Sequence, residues 1–191
     1  MRFGGECFKK LVRDYEFDTV LDIGSGAGEQ ADEFRHLGKK VVTVDIQKGA
    51  DQCSEYPNIV LIGNIDAIWC CHVLEHQSNV GDFLGAIWDD LEPDGILAIT
   101  VPPFRQVVPG HVTMWNAGLL LYNLVLAGFD CSEAAVKTYD YNISVIVRKG
   151  EFIKADNTMM LEDLAHFFPV PLTGERPGKG VLPSDIVEVN W

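Results

Sequence analysis

The 191-residue chain is poor in positive charge: 15 Lys and Arg stand against 28 Asp and Glu, for a formal net charge of −13. No Lys/Arg cluster interrupts that acidity. Such a surface repels phosphate backbones, which argues against double-stranded nucleic acid as a primary partner. No apolar run is long enough to span a bilayer. The first residues, MRFGGECFKK, lack the charged-then-apolar layout of a secretory signal, so the expectation is a cytoplasmic protein without a membrane partner. There is no C-x-x-C pair, and the five cysteines are an odd number. Cys7, Cys53, Cys70, Cys71 and Cys131 are therefore expected to be reduced, and no metal is expected on them. The chain does have apolar residues, at 47% of the total, enough for one globular domain with a substantial core.

Periodicity orders the elements. Residues 7–15 fit a short amphipathic helix. Thr19–Ile23 is an apolar run that ends in glycines, Ala27–Leu37 is helical with Gly38 as its C-cap, and Lys40–Ile46 is a β-branched strand ending in an acid. Asn58–Ile62 and Asp66–Cys71 read as the third and fourth strands. Adjacent Cys70 and Cys71 would point to opposite faces. Val80–Leu91 places Phe83, Leu84, Ile87, Trp88 and Leu91 on one helix face, with Asp82, Asp89 and Asp90 on a solvated one. Ile96–Val101 is a fifth strand and Asn116–Ala127 a helix. Ser132–Thr138 and Asn142–Arg148 form an antiparallel hairpin around Asp140. The alternation predicts an α/β, Rossmann-like doubly wound fold, with a mostly parallel sheet of about seven strands and a C-terminal antiparallel hairpin. Ligands of such sheets bind beyond the C-terminal strand ends, where strand order reverses; here the first and fourth strands should flank that crevice.

The strongest local signal is Asp22-Ile23-Gly24-Ser25-Gly26-Ala27-Gly28, directly after a strand and before a helix. Glycines there permit a tight turn and close approach of a ligand to the backbone. The helix start adds free N–H groups suited to an anionic group. The dinucleotide fingerprint needs a third glycine at position 29, which is Glu29, so a nicotinamide-dependent oxidoreductase is disfavoured.

These residues resemble the first motif of the class I S-adenosylmethionine-dependent methyltransferases, as VLDIGSGAGEQA, followed by VVTVDI for the second. The resemblance continues through CCHVLEH, LEPDGILAITVP and GHVTMWNAGLLLYNLVLAGFD, and covers roughly residues 18–148 in the expected order. It is closest to members that modify small molecules and saccharides. It implies a methyl transfer from S-adenosylmethionine, with S-adenosylhomocysteine as product, to an O or N atom of such an acceptor. Gly24, Ser25, Gly26 and Gly28 would wrap the amino-acid end of the cofactor, with Asp22 supporting the loop. Asp45 would accept from both ribose hydroxyls, which suits its two acceptor oxygens. Ile46 would lie on the adenine, Asn64 would supply an adenine contact, and Cys71 and His72 would border the methionine part. Where the family commonly has a helix after strand three, this chain runs almost straight into strand four, which implies a shallow adenine pocket.

His72-Val73-Leu74-Glu75-His76 also spells H-x-x-E-H, a zinc-peptidase pattern that requires a helix. Here it follows an apolar strand, so the expectation is no metal on that motif. Glu75 and His76 would instead lie at the mouth of the acceptor pocket. His111 would lie near the methyl group, as a base for the acceptor or as a structural histidine. Phe104, Arg105 and Trp115 are candidate acceptor-site linings. Residues 1–150 form the expected domain. Residues 151–191, with four of the nine prolines, are an irregular tail, packed on the domain or serving as a lid or the arm of a homodimer. A rival reading is a protein that binds this cofactor without turnover.

Overall fold

The computed structural model describes residues 3–61, 63–105, 107–174 and 180–191. Among them, eight strands form one sheet in the order β3-β2-β1-β4-β5-β7-β6-β8. β1 (Thr19–Ile23), β2 (Lys40–Asp45), β3 (Gln52–Cys53), β4 (Ala67–Cys71) and β5 (Ile96–Val101) run parallel. β7 (Asn142–Arg148) joins β5 antiparallel, and β6 (Ala135–Tyr139) and β8 (Glu188–Val189) complete the sheet. The expected fold is present with one strand more than the approximate count.

The period of two along the strands divides the core. Val20, Ala67 and Trp69 face α1 (Gly5–Asp14) and α2 (Glu29–His36), where Phe8 and Phe34 pack on the Trp69 ring. Leu21, Ile23, Ile68 and Cys70 face the opposite layer, which holds α3 (Val80–Asp90) and α4 (Ala117–Leu126). Cys70 and Cys71 thus join different clusters, and all five cysteines are free thiols. The Trp69 indole N–H donates to Gln30 Oε1 at 2.8 Å, so the largest buried ring leaves no orphaned donor. Asn79 and Asn116 cap α3 and α4 by accepting backbone N–H bonds, which places both helix starts where the sequence puts them.

Three expectations need correction. The segment 58–61 is not a strand; position 62 lies outside the described residues. Gln52–Cys53 takes the edge position beside β2, and the Gln52 carboxamide grips Val60 instead, donating to its carbonyl at 2.6 Å and accepting from its N–H at 3.0 Å. Asp90 is not simply solvated: it is half-buried and accepts from the Tyr56 hydroxyl at 2.6 Å, and that burial raises its pKa. The tail is also more ordered than composition suggested. It forms a short α5 (Leu161–Leu164), continues as a 3-10 turn, and adds β8 to the edge of β6. Its Pro183 carbonyl crosses so close to Gly118 of α4 that a Cβ there would sit 2.5 Å away. Positions 175–179 of the glycine-rich stretch, including Pro177, lie outside the described residues.

Replacing Gln52 with Ala is expected to lower stability by about 1–2 kcal/mol, since it removes two bonds at a half-exposed edge. Urea unfolding reads that loss, and amide exchange at Val60 should quicken. Unchanged exchange would contradict the clamp.

Candidate functional site

β1 ends in a turn with three left-handed glycines: Gly24, Gly26 and Gly28 have φ of 74°, 53° and 82°. Side chains disfavour that region, which accounts for the G-x-G-x-G spacing. At Gly24 a second constraint applies, because a Cβ would stand 2.2 Å from Val73 Cγ2. The turn is anchored from β2. Gly24 and Ser25 donate backbone N–H bonds to the Val44 carbonyl at 2.8 and 3.2 Å. Asp45 Oδ2 accepts from the Gly26 N–H at 2.8 Å, and Asp45 Oδ1 from the Gln47 N–H at 2.7 Å. The Asp45 carboxylate therefore stands at the cleft with both oxygens turned to backbone donors.

Between this turn and the loop after β4 opens a cleft of about 490 Å³. Ile23, Gly24, Gly26, Asp45 and Ile46 line one side, and His72, Val73, His76 and Gln77 the other. Ile46 is 74% exposed, an unusual state for an isoleucine and one that leaves an apolar surface free for a flat ring. Ser54, Glu55, Tyr56 and Phe83 close the far end. The sequence reading missed these four. Their signal is weak: the polar stretch after β2 has no clear period, and Phe83 reads simply as core.

Other expected residues fall in different places. Asn64 lies at the start of β4, at the opposite end of the strands from the cleft, where its carbonyl accepts from Thr19 Oγ1. It is not part of the cleft lining. Cys71 lies below the surface beside Gln30, and burial pushes its thiol pKa up. Asp22 is 1% exposed on the α2 side of the sheet, with Oδ2 lacking a hydrogen-bond partner. Burial raises its pKa from 3.8 to about 7, with the Arg35 charge opposing and the Asp45 charge reinforcing the shift. It sits under the turn rather than in the cleft.

The loop after β4 begins with His72, held at φ 59°, a strained conformation for a residue with a side chain. A 3-10 turn, Leu74–His76, follows, so the H-x-x-E-H motif is not on an α-helix. Val112 and Thr113 donate N–H bonds to the Glu75 carbonyl at 2.8 and 3.1 Å, and this brings His111 edge-on to His76 with ring centroids 5.0 Å apart. His111 also borders a small aromatic pocket with Phe104, Trp115 and Tyr141. Arg105 turns away and donates to the Asp140 carbonyl. None of the described residues of 151–191 lines the cleft.

Residues 5–150 match the family described as methyltransferase domain. The chain belongs to that family. Solved structures with the same fold include a 1,6-didemethyltoxoflavin-N1-methyltransferase of Burkholderia thailandensis with bound 1,6-didemethyltoxoflavin and S-adenosylhomocysteine, at TM-score 0.64 and 18% identity over 77% of each chain. An S-adenosylmethionine-dependent methyltransferase of Aquifex aeolicus aligns at TM-score 0.57 and 22% identity, over 74% of this chain and 88% of that one. Another, from Archaeoglobus fulgidus, aligns at TM-score 0.59 and 15% identity, over 76% and 94%. At these identities the likeness establishes the shared fold. Comparison with curated proteins finds no match. Among the described residues, no helix is long and apolar enough to cross a membrane.

The raised pKa of Asp22 sets a pH window. Between its unfolded value of 3.8 and about 7 the folded state keeps a proton that the unfolded chain releases, so stability falls as pH rises across that range. Asp22→Asn is expected to remove this slope: the variant should melt higher than the parent at pH 8 and with it near pH 4. Parallel profiles would show that Asp22 carries no such penalty.

Proposed function

We propose that the cleft binds S-adenosylmethionine and that the protein transfers its methyl group to an O or N atom of a small-molecule or saccharide acceptor. The observation that carries this reading is the pairing of the three-glycine turn with Asp45 across one cleft. The fit is supported by local detail. Gly26 leaves open space against its backbone, as the close approach of an amino-acid group requires, and the Ser25 hydroxyl is buried without a partner. The start of α2 has no side-chain cap on its N–H groups, which suits a carboxylate. Asp45 can exchange its backbone donors for two sugar hydroxyls. Ile46 offers its exposed face to the base, with Ser54 and Glu55 beyond it.

Bound there, S-adenosylmethionine supplies an electrophilic methyl on a sulfonium. The chain's own residues then have three tasks. The glycine turn and Asp45 fix the donor at both ends, which converts a bimolecular encounter into an aligned one. Val73, pressed on Gly24, sets the floor between the two loops. His76 and His111 stand where the cleft meets the pocket of Phe104, Trp115 and Tyr141, the proposed seat of the acceptor. The exposed Phe104 ring and the half-buried Tyr141 ring suit a planar ring or the apolar face of a sugar. The B. thailandensis neighbour, solved with a small molecule and S-adenosylhomocysteine together, supports an acceptor of that size.

Asp45→Ala is expected to weaken S-adenosylhomocysteine binding by about tenfold to a hundredfold, as loss of charge-assisted bonds would do, while the protein stays folded. Calorimetric titration reads the affinity, and a thermal melt checks the fold. Parental affinity in this variant would remove Asp45 from the binding site and with it this reading of the cleft.

A further inference from the structure

We infer that Glu75, His76 and His111 form a site for one divalent transition-metal ion of the zinc class, with an open position for the methyl acceptor. One ligand atom from each of the three lies within 4.8 Å of the other two. Ligands about 2.1 Å from a tetrahedral zinc stand about 3.4 Å apart, so closure asks for a movement of about 1.4 Å at most. His76 is exposed and His111 only half-buried, so side-chain rotation supplies it.

Two details point to a cation. Glu75 is 1% exposed, and neither of its carboxylate oxygens has a hydrogen-bond partner. A buried, unpaired carboxylate is costly, and a bound cation removes that penalty. The His76 ring is already oriented for ligation. Its Nδ1 lies 2.8 Å from the Gly110 carbonyl, which can only accept, so Nδ1 carries the proton and Nε2 keeps its lone pair, 4.0 Å from Glu75 Oε1. A backbone carbonyl holding the far ring nitrogen is the usual support of a metal-bound histidine.

His72 Nδ1 stands 3.2 Å from Glu75 Oε1 without hydrogen-bond alignment, so that imidazole borders the site without satisfying the carboxylate.

Two imidazoles and one carboxylate form a donor set that zinc takes with a fourth position open, whereas magnesium prefers oxygen ligands and retained waters. This trio is not the His72 and His76 pair that the peptidase motif would use. His76 lines the cleft and His111 the aromatic pocket, so an ion between them faces both. An acceptor hydroxyl at the open position would shed its proton to solvent near neutral pH and keep its electron pair for the methyl. That last role rests on the methyl-donor reading of the cleft; the ion site does not.

The test uses the full chain with Cys53→Ser, because the exposed Cys53 thiol would itself take zinc. The protein is stripped with a chelator, then titrated with zinc chloride by calorimetry and with cobalt chloride by visible absorption. One zinc per chain is expected, and a cobalt spectrum free of thiolate charge-transfer bands. Glu75→Gln and His111→Ala should each weaken zinc by more than about tenfold. Both should bind S-adenosylhomocysteine as the parent does and, in chelator, melt no lower than the parent. Equal zinc affinity in parent and variants, or no zinc bound by the parent, would overturn the site. A normal zinc titration with no S-adenosylhomocysteine binding would instead sink the donor reading and leave the ion site standing.

Discussion

The functional architecture depends on one topological constraint, the reversal of strand order at β1. From β1 the chain moves outward to β2 and β3, then returns to place β4 on the other side. The loops leaving β1 and β4 must therefore diverge, and the gap between them cannot be filled by either connection. The sheet makes that gap and the side chains give it chemistry. On the β1 side, backbone donors and Asp45 form a polar, flexible-looking rim that is in fact pinned to β2 by Val44 and Asp45. On the β4 side, a short 3-10 turn presents His72, Glu75 and His76.

Electrostatics then separates the two rims. The protein is acidic overall, yet the acids at the site are not equivalent. Asp45 is half-buried and accepts from two backbone N–H groups. Asp22 is enclosed by the strand–helix layer, and burial raises its pKa to about 7. Glu75 is enclosed as well, with the His72 and His76 rings 3.2 and 4.0 Å from Oε1. Buried acids of this kind cluster at functional sites. Both buried acids stand within the layer directly beneath the cleft loops.

Much of this was legible in the sequence, for identifiable reasons. Strands β5 and β7 are largely buried runs rich in β-branched residues and bounded by turn residues, so their limits were read correctly. Helix α3 was placed by the spacing of its apolar face, and α4 was read over the apolar stretch that follows Asn116. The glycine turn stood out because a backbone with φ above zero leaves few choices of residue, and Asp45 because it ends a β-branched strand in an acid. The failures share another cause: side chains doing the work of backbone. Gln52 pairs with Val60 in place of a ladder, so an apolar run that looks like a strand is not one. Tyr56 recruits Asp90 from a helix face that looks solvated. Asn64 reads as a site residue only if the segment before β4 reaches the cleft, and it does not. The meeting of Glu75, His76 and His111 depends on a loop-to-loop contact, 35 residues apart for the last two, that no local pattern encodes.

The central claim is that the β1–β4 gap is shaped for a sulfonium nucleoside. A crystal structure of the protein grown with saturating S-adenosylhomocysteine addresses it most directly. The account predicts ligand density along the cleft, with the amino-acid end on the Gly24–Gly28 turn, the sugar hydroxyls on Asp45 and the base against Ile46. Density for the ligand at another place, or a cleft holding only solvent at saturation, would contradict it.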